Sequence, residues 1–262
     1  MATSKTSEII LGRVEHINAS HFYCLSFTKA SDVVNGINVR LTNMAGGYPF
    51  SFGGVTWRDS ETLYLCGEFS NSSDEHLYIQ EEMHRQKSGY AAKRFIKTKH
   101  KSLIRIDFST FRTQWMLFVV WMKCKGNTDF TKMLLQLPND AIIIEDTTIQ
   151  HCDTKEVWGC TNIELAVRRK EVEKEIIRQA KEDNPKISKA ALKRLVNIET
   201  CKVNGIGIFI GQNNLGKILM LCRNSLINGT EPPIDYALLN HSNIYIMGKR
   251  LSFPTDKTSI SN

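Results

Sequence analysis

The sequence lacks an apolar run long enough to cross a membrane and lacks any cysteine pair of the CxxC type. A bilayer-spanning helix needs roughly 18 apolar residues in succession, whereas the longest apolar stretch, residues 115–122, indicates a buried helix. Residues 1–8 are polar, so no secretory signal is visible. Scattered, unpaired cysteines exclude a zinc ribbon or redox dithiol and predict reduced thiols in the cytoplasm, or in the nucleus of a eukaryote.

Two further absences narrow the chemistry. His76 and His84 lie eight residues apart, which is not the i,i+4 spacing of a helical metal pair. The sequence contains no Gly-x-Ser-x-Gly elbow of a serine hydrolase. We therefore expect neither a metal nor another cofactor.

The remaining composition is that of a globular protein. The chain has 262 residues, 42% hydrophobic and 23% charged, enough for one or two domains with a sizeable core. Patterning predicts an α+β fold, a mostly helical single domain with a small sheet and a helical-hairpin insertion. The predicted parts are a strand-rich extension (1–40), a central domain (41–226) with a basic insertion (163–202), and a tail with a possible hairpin (227–262).

Positive charge is concentrated in the predicted insertion. The chain has a formal charge of +7, and residues 168–202 hold eleven Lys/Arg against six Asp/Glu. A basic surface attracts polyanions without specifying one. The segment is either a solvated hairpin or a nucleic-acid arm, for which the candidate phosphate contacts are Arg168, Arg169, Lys189, Lys193 and Arg194.

Residues 211–217 match the GxxxxGK pattern of a phosphate-binding loop. Ile218 follows where a nucleotide loop needs Ser or Thr for Mg²⁺, so the pattern does not indicate an NTPase. A glycine-bounded turn at a helix N-terminus still presents N–H groups to a pyrophosphate. The alternative is a plain junction of strand, turn and helix.

Two other positions place carboxylates beside aromatic residues. Glu61 follows a helix cap and is flanked by Trp57 and Tyr64, so it is either an ordinary first-turn glutamate or a desolvated acid or base. Asp153 precedes the pair Trp158-Gly159. That pair suits a ring stacking on a base or sugar, or else a turn with a core tryptophan.

Taken in chain order, these motifs resemble the NADAR family, named for its association with NAD and ADP-ribose. The resemblance covers roughly residues 41–226 and is most specific at Gly211, Asn213, Leu215, Gly216, Leu219, Met220 and Arg223. Its other parts are Asn43, Trp57 with Ser60-Glu61 and Phe69, Ala91-Ala92-Lys93, Gln114-Trp115-Met116, and Glu145 with Trp158-Gly159. Thr62, Phe108 and Lys155 stand where the family usually has His, Trp and Asp, which leaves Asp153 and Glu156 as rival second acids.

The resemblance implies an N-glycosidase. Some family members cleave a ribosyl–amine bond in a riboflavin-pathway intermediate, and others remove ADP-ribose from guanine in nucleic acid, reversing a toxin. We expect the second activity, on DNA, because of the basic charge. The alternatives are the riboflavin-type reaction and an inactive NAD or ADP-ribose binder.

The resemblance also implies roles for individual residues. Glu61 would be the key carboxylate and Asp153 the second acid, and Trp158 and Phe108 would stack on the ligand. Asn213 and Gly216 would hold the pyrophosphate, so a side chain at Gly216 is expected to weaken ADP-ribose binding with little effect on stability. The remaining predicted binding residues are Asn43, Trp57 and Gly159. No membrane partner is expected.

Overall fold

The computed structural model describes residues 8–28, 33–34, 37–38, 40–148 and 157–254 of the chain. The fold is mixed and mostly helical with small two-stranded sheets, which confirms the predicted α+β class. The chain divides into two compact units, Met1–Val39 with Pro138–Lys217, and Arg40–Leu137 with Ile218–Asn262. Within the described ranges, no helix is both long and apolar enough to span a bilayer.

The α-helices are α1 (Ser60–Cys66), α2 (Asp74–Arg85), α3 (Gly89–Lys99), α4 (Phe108–Gly126), α5 (Thr128–Leu135), α6 (Ile163–Asp183), α7 (Lys189–Lys202), α8 (Asn214–Asn228) and α9 (Tyr236–His241). The strands are β1 (Glu15–Asn18), β2 (Cys24–Phe27), β3 (Val33–Val34), β4 (Ile37–Asn38), β5 (Phe50–Phe52), β6 (Val55–Trp57), β7 (Ile142–Glu145), β8 (Ile208–Gly211), β9 (Tyr245–Ile246) and β10 (Lys249–Arg250). Short 3₁₀ turns cover Gly67–Phe69 and Lys101–Leu103.

The first unit is built around two strand ladders. β1 pairs antiparallel with β8, and β2 pairs parallel with β7. The ladders are joined because Cys160 forms a β-bridge with Asp146 and Thr161 forms one with Ile210. Buried apolar side chains around this link form the core of the unit: Ile17, Ala19, Ile144, Cys160, Leu165 and Phe209.

At the start of the predicted strand-rich extension, the apolar residues 9–11 predict a strand. This segment is a loop, and the first strand begins at Glu15. The Nζ of Lys217 donates to the carbonyl oxygens of Ile10 and Arg13 at 2.8 and 2.7 Å. Those carbonyls bind a buried ammonium group instead of joining a ladder.

The predicted helical hairpin is confirmed. The side chain of Asn162 caps α6 and that of Ser188 caps α7, each accepting a backbone N–H of the first turn. Pro185 lies between the helices, where it cannot continue α6. α6 and α7 pack against each other, and the buried residues of α6 are Leu165 and Ala180. Most of the hairpin surface is therefore exposed.

The second unit packs around α4. Residues 115–121 of this helix are buried, as the apolar run predicts, and α1, α5 and α9 lie against it. The β5–β6 hairpin contacts α4 through Phe52 and Phe118, whose ring centroids are 5.3 Å apart. The predicted tail hairpin is also confirmed as β9–β10, turning at Gly248 with φ 74°.

Lys123 is a buried cation on α4. Its side chain is 1% exposed, and Nζ lies 4.1 Å from the ring centroid of Phe130 and 5.5 Å from that of Tyr48. Burial lowers the pKa of Lys123 to about 8, because the surroundings solvate an ammonium group poorly. Burying the Lys123 ammonium in the native state therefore costs free energy relative to the unfolded chain.

We expect Lys123→Met to raise the free energy of unfolding at neutral pH by about 1–3 kcal/mol. The native pKa of about 8 lies below the usual 10.5, so between these values the unfolded chain binds more protons than the native state. Wild-type stability should then rise with pH through this window. Below the window, the full cost of burying the charged ammonium applies.

Urea denaturation at neutral pH measures the gain in stability from Lys123→Met. Repeating it near the upper end of this pH window measures how far wild-type stability rises with pH. Lys125→Met, on an exposed position of the same helix, is the matched control and should change little. A variant less stable than wild type at neutral pH would show that the contacts of the ammonium with Phe130 and Tyr48 outweigh its burial cost.

Candidate active site

The site in the second unit begins at the N-terminus of α1. Asp59 caps the helix, and its Oδ1 accepts the backbone N–H and the hydroxyl of Thr62, both at 2.8 Å. Glu61 lies in the first turn, where the positive end of the helix dipole favours a carboxylate. Its backbone N–H donates to the carbonyl oxygen of Asn43 at 3.1 Å. The cap and this bond fix the position of Glu61.

The Glu61 carboxylate is buried and paired. Its residue is 5% exposed, and Oε1 accepts a hydrogen bond from Nζ of Lys93 at 3.2 Å. Burial raises the pKa of Glu61, and the adjacent Lys93 ammonium opposes that rise. The result is a carboxylate largely removed from water but held beside a single cation on α3.

Gly89 allows α3 to approach this carboxylate. A Cβ at Gly89 would lie 2.7 Å from Oδ1 of Asp59 and 2.8 Å from Cβ of Glu61, closer than real side chains pack. Gly89 and Lys93 are one helical turn apart and so share a face of α3. The missing side chain at Gly89 thus brings the Lys93 ammonium within reach of Glu61.

A second carboxylate, Glu68, belongs to the same group. It is half-buried in the 3₁₀ turn that follows α1. Burial raises the pKa of Glu68 to about 7, the charge of Glu61 adds to the rise, and Lys93 and Arg112 oppose it. The two carboxyl groups, in α1 and in the turn after it, therefore differ in their environments, and Glu68 retains a proton close to neutral pH.

Tyr64 and Phe108 provide the aromatic part of the group. Their ring centroids are 5.5 Å apart, with the planes tilted by 54°. Burial raises the pKa of Tyr64 well above its usual value, and the charge of Glu68 adds to this. Phe108 is only 6% exposed and also packs edge-on against Phe111. The predicted stacking residue Phe108 thus lies close to the acids, but most of its ring is covered.

Asn43 and Trp57 position α1 and offer little surface to a ligand. Asn43 is 6% exposed; its Oδ1 accepts from Ser60 Oγ, and its Nδ2 donates to the sulfur of Met116. Trp57 is completely buried, with Nε1 donating to the carbonyl oxygen of Phe52. In this structure both residues support the N-terminus of α1 rather than contact a substrate.

The structure brings together the other predicted binding residues, Trp158, Gly159, Asn213 and Gly216, in the first unit. Asn213 is buried with a left-handed φ of 48°, a conformation that asparagine tolerates. Its Oδ1 accepts from the backbone N–H of Glu145, and its Nδ2 donates to the carbonyl oxygen of Ile143. The Asn213 amide therefore extends the hydrogen bonding of β7.

The N–H groups at the start of α8 are bonded to the chain itself. The backbone nitrogen of Asn213 donates to the carbonyl oxygen of Gly159 at 3.0 Å, and that of Leu215 donates to Trp158 at 2.9 Å. The backbone nitrogen of Asn214 makes a longer bond, 3.4 Å, to Val157. These carbonyls occupy donors that the predicted pyrophosphate would use, so the turn has a structural role here.

The glycines of this turn are explained by close backbone packing. A Cβ on Gly216 would overlap the carbonyl oxygen of Ile143, and one on Gly159 would overlap the carbonyl oxygen of Glu145. Gly211 meets the carbonyl oxygen of Gly159 in the same way. This packing argues against the expectation that a side chain at Gly216 leaves stability nearly unchanged.

Lys217, the last residue of the loop pattern, also has its side chain bound within the protein. Its residue is 4% exposed, and besides the two carbonyls of the N-terminal loop, its Nζ lies 2.9 Å from Oε1 of Glu15. An ammonium with these partners is directed at the protein and not at a phosphate. Asp153, its rival Glu156 and Lys155 lie outside the described residues, and the predicted role of Asp153 stays a prediction.

Three members of the second-unit group were not among the predicted site residues: Lys93, Glu68 and Arg112. Lys93 had a signal, because it closes the Ala91-Ala92-Lys93 motif. Glu68 follows Glu61 by seven residues, about two helical turns, which places both on one face. In the part of the chain that the structure describes, no group of three or more His, Cys, Asp or Glu side chains is arranged to hold a metal ion.

Comparison with solved structures finds a structural similarity, whereas comparison with protein families and curated proteins finds none. No protein-family model matches the chain, and no curated protein matches it. Among solved structures, the chain is similar to the NMR structure of the E. coli protein YbiA, with 19% sequence identity over 79% of this chain and 86% of that one, and a TM-score of 0.47. At this TM-score the similarity carries no weight for function.

Proposed function

We propose that this protein is an N-glycosidase that removes ADP-ribose from ADP-ribosylated guanine in DNA. The observation that carries the proposal is a pair of carboxyl groups in α1 and the turn after it: Glu61, buried against Lys93, and Glu68, whose pKa is raised to about 7. The resemblance of the sequence motifs to the NADAR family supports the same reaction class.

The reaction needs two functions that these groups can supply. Cleaving the bond between the ribose anomeric carbon and the guanine nitrogen builds positive charge on the carbon, and water adds there. The Glu61 carboxylate would stabilise this charge and accept a proton from the attacking water. Glu68, still protonated near neutral pH, would donate its proton to the departing nitrogen. The products are ADP-ribose and the restored guanine.

Lys93 has a positioning role in this proposal. Without an adjacent cation, burial would shift Glu61 toward its neutral form. The 3.2 Å contact with the Lys93 ammonium opposes that shift and orients the carboxylate. Asp153 remains the alternative second acid, and substitution of Asp153 and Glu68 in turn separates the two assignments.

The deciding experiment is incubation of the protein with an oligonucleotide carrying ADP-ribosylated guanine, followed by mass spectrometry of the products. Release of ADP-ribose with restoration of the unmodified oligonucleotide supports the proposal. Cleavage of the ribosyl–amine intermediate alone would assign the riboflavin-type reaction. Tight binding of ADP-ribose without turnover of either substrate would assign an inactive binder.

We expect Glu68→Gln to change the pH dependence of this release. In the wild type the proton on Glu68 is lost as the pH rises through about 7, so the rate should fall above that value. The variant should be slower by about 10²-fold, the usual scale for a lost general acid, and should lack this fall. A wild-type profile that stays flat to high pH, or a variant that retains the fall, would remove Glu68 from the mechanism.

A further inference from the structure

The most one-sided charge of the chain lies on α3 and the turn that follows it, in the same unit as Glu61. Residues 85–105 contain eight Lys/Arg and no Asp/Glu. The nearest preceding acids, Glu81 and Glu82 on α2, are ion-paired with Arg85. Because residues 85–105 contain no acid of their own, the positive charges of this segment are not neutralised from within it.

The positive residues of α3 form a stripe together with one aromatic residue. At 3.6 residues per turn, Tyr90, Lys93, Arg94 and Lys97 fall within about 100° of one helix face. Tyr90 is 67% exposed, and Arg94 and Lys97 are also exposed. At one side of the stripe, Lys93 contacts the buried carboxylate of Glu61.

The stripe continues past the end of the helix. Lys97, Thr98, Lys99, Lys101 and Ser102 line an open depression at the junction of α3 with the 3₁₀ turn Lys101–Leu103. Ammonium groups next to hydroxyl donors are the side chains that contact phosphate oxygens in nucleic-acid complexes. Arg94, Lys97 and Lys101 have no ion pair among the described residues.

The basic hairpin of the first unit is different in this respect. Arg168 is paired with Glu171, Arg178 with Glu175 and Glu182, and Lys202 with Glu199. A further predicted phosphate contact, Arg169, is bonded to the buried Asp146 at 2.9 Å. Much of the hairpin charge is thus used within the protein, whereas Lys189, Lys193 and Arg194 remain exposed.

We propose that the exposed face of α3 and the following turn bind a single strand of nucleic acid and lead it to the Glu61 site. The lysine and arginine side chains would contact successive phosphates, and Tyr90 would stack on a base next to the carboxylate. A basic track with an exposed aromatic residue is the arrangement by which proteins hold single strands without reading their sequence. This inference rests on the proposed function, which identifies the bound polyanion as nucleic acid.

The test compares two triple variants that lose the same charge. Arg94→Gln/Lys97→Gln/Lys101→Gln removes the α3 contacts, and Lys189→Gln/Lys193→Gln/Arg194→Gln removes the exposed hairpin charges. Binding of an unmodified single-stranded DNA of about 12 nucleotides, within the usual site size, is measured by fluorescence anisotropy over a series of salt concentrations.

We expect the α3 variant to bind between about tenfold and 100-fold more weakly at 0.1 M salt, with the slope of log K against log salt shallower by about two units. The hairpin variant should keep the wild-type affinity and slope. Tyr90→Ala should weaken binding by about tenfold, and Tyr90→Phe, which keeps the ring, should restore it. Circular dichroism and thermal melting check that each variant is folded.

Three results would overturn the inference. The α3 variant could bind with wild-type affinity and slope, or the hairpin variant could lose as much affinity as the α3 variant. The third is that the α3 variant loses affinity for phosphatidylserine vesicles but not for the oligonucleotide, which would make the face a membrane contact.

The failure of this inference is distinguishable from failure of the proposed function. If the α3 variant binds DNA more weakly but the wild type releases no ADP-ribose, the strand-binding face is retained and the glycosidase is rejected. Release of ADP-ribose by the wild type, with unchanged DNA binding of the α3 variant, would retain the glycosidase and reject this face.

Discussion

Glu61→Gln is expected to slow the release of ADP-ribose from ADP-ribosylated guanine by about 10²-fold or more, the usual loss for a well-placed catalytic carboxylate. The substitution keeps the size of the side chain and its place in the first turn of α1, but it removes the negative charge. An amide cannot accept a proton from water or balance the positive charge that develops on the anomeric carbon. Initial rates at saturating substrate measure the effect.

The Glu61 prediction has a control on the same unit. Glu75→Gln removes an exposed carboxylate from the first turn of α2 and should retain the wild-type rate. In the Glu61 variant the Lys93 ammonium loses the negative charge that it contacts, so a melting curve is needed to show that the variant is folded. A folded Glu61→Gln protein that turns over at the wild-type rate would rule out the assignment.

Gly216→Ala is expected to have the largest effect on stability, a loss of about 3 kcal/mol from overpacking. The new methyl group would overlap the carbonyl oxygen of Ile143 in β7 and would crowd the side-chain amide of Asn213. Because both neighbours are held by the same hydrogen bonds, α8 and β7 would have to separate. A loss of this size should lower the melting temperature by about 10 °C.

Gly46→Ala is the matched control for Gly216, since a Cβ at Gly46 meets no atom within 4 Å and the backbone there needs no positive φ. It should melt within about 2 °C of wild type. If Gly216→Ala melts with the wild type while ADP-ribose binding weakens, the turn is a ligand site and the packing explanation is rejected.

The order of elements was predictable from local patterns in the sequence. The cap residue Ser73 and the proline at position 185 mark helix boundaries that can be predicted from a few neighbouring residues. The apolar run of α4 and the glycine turn of the tail hairpin are equally local. The loop around Ile10 was predicted wrongly because its hydrogen-bond partner, Lys217, lies far along the chain.

The Glu61 site was predictable only in part for the same reason. The position of Glu61 one residue after a helix start followed from its neighbours. Its pairing with Lys93, and the pKa of Glu68, depend on burial and on charges carried by other helices. These are set by packing, because desolvation and Coulomb interactions act through space between residues distant in sequence.

The loop pattern over residues 211–217 shows most plainly what could not be predicted from the sequence. Its glycines and lysine were visible from the sequence, and so was the start of a helix behind them. The contacts that they make were not visible from the sequence, since Gly216 packs against β7 and Lys217 binds the N-terminal loop. Residue spacing establishes which groups a turn can present, whereas the groups that surround the turn in three dimensions decide whether they bind a ligand or the protein itself.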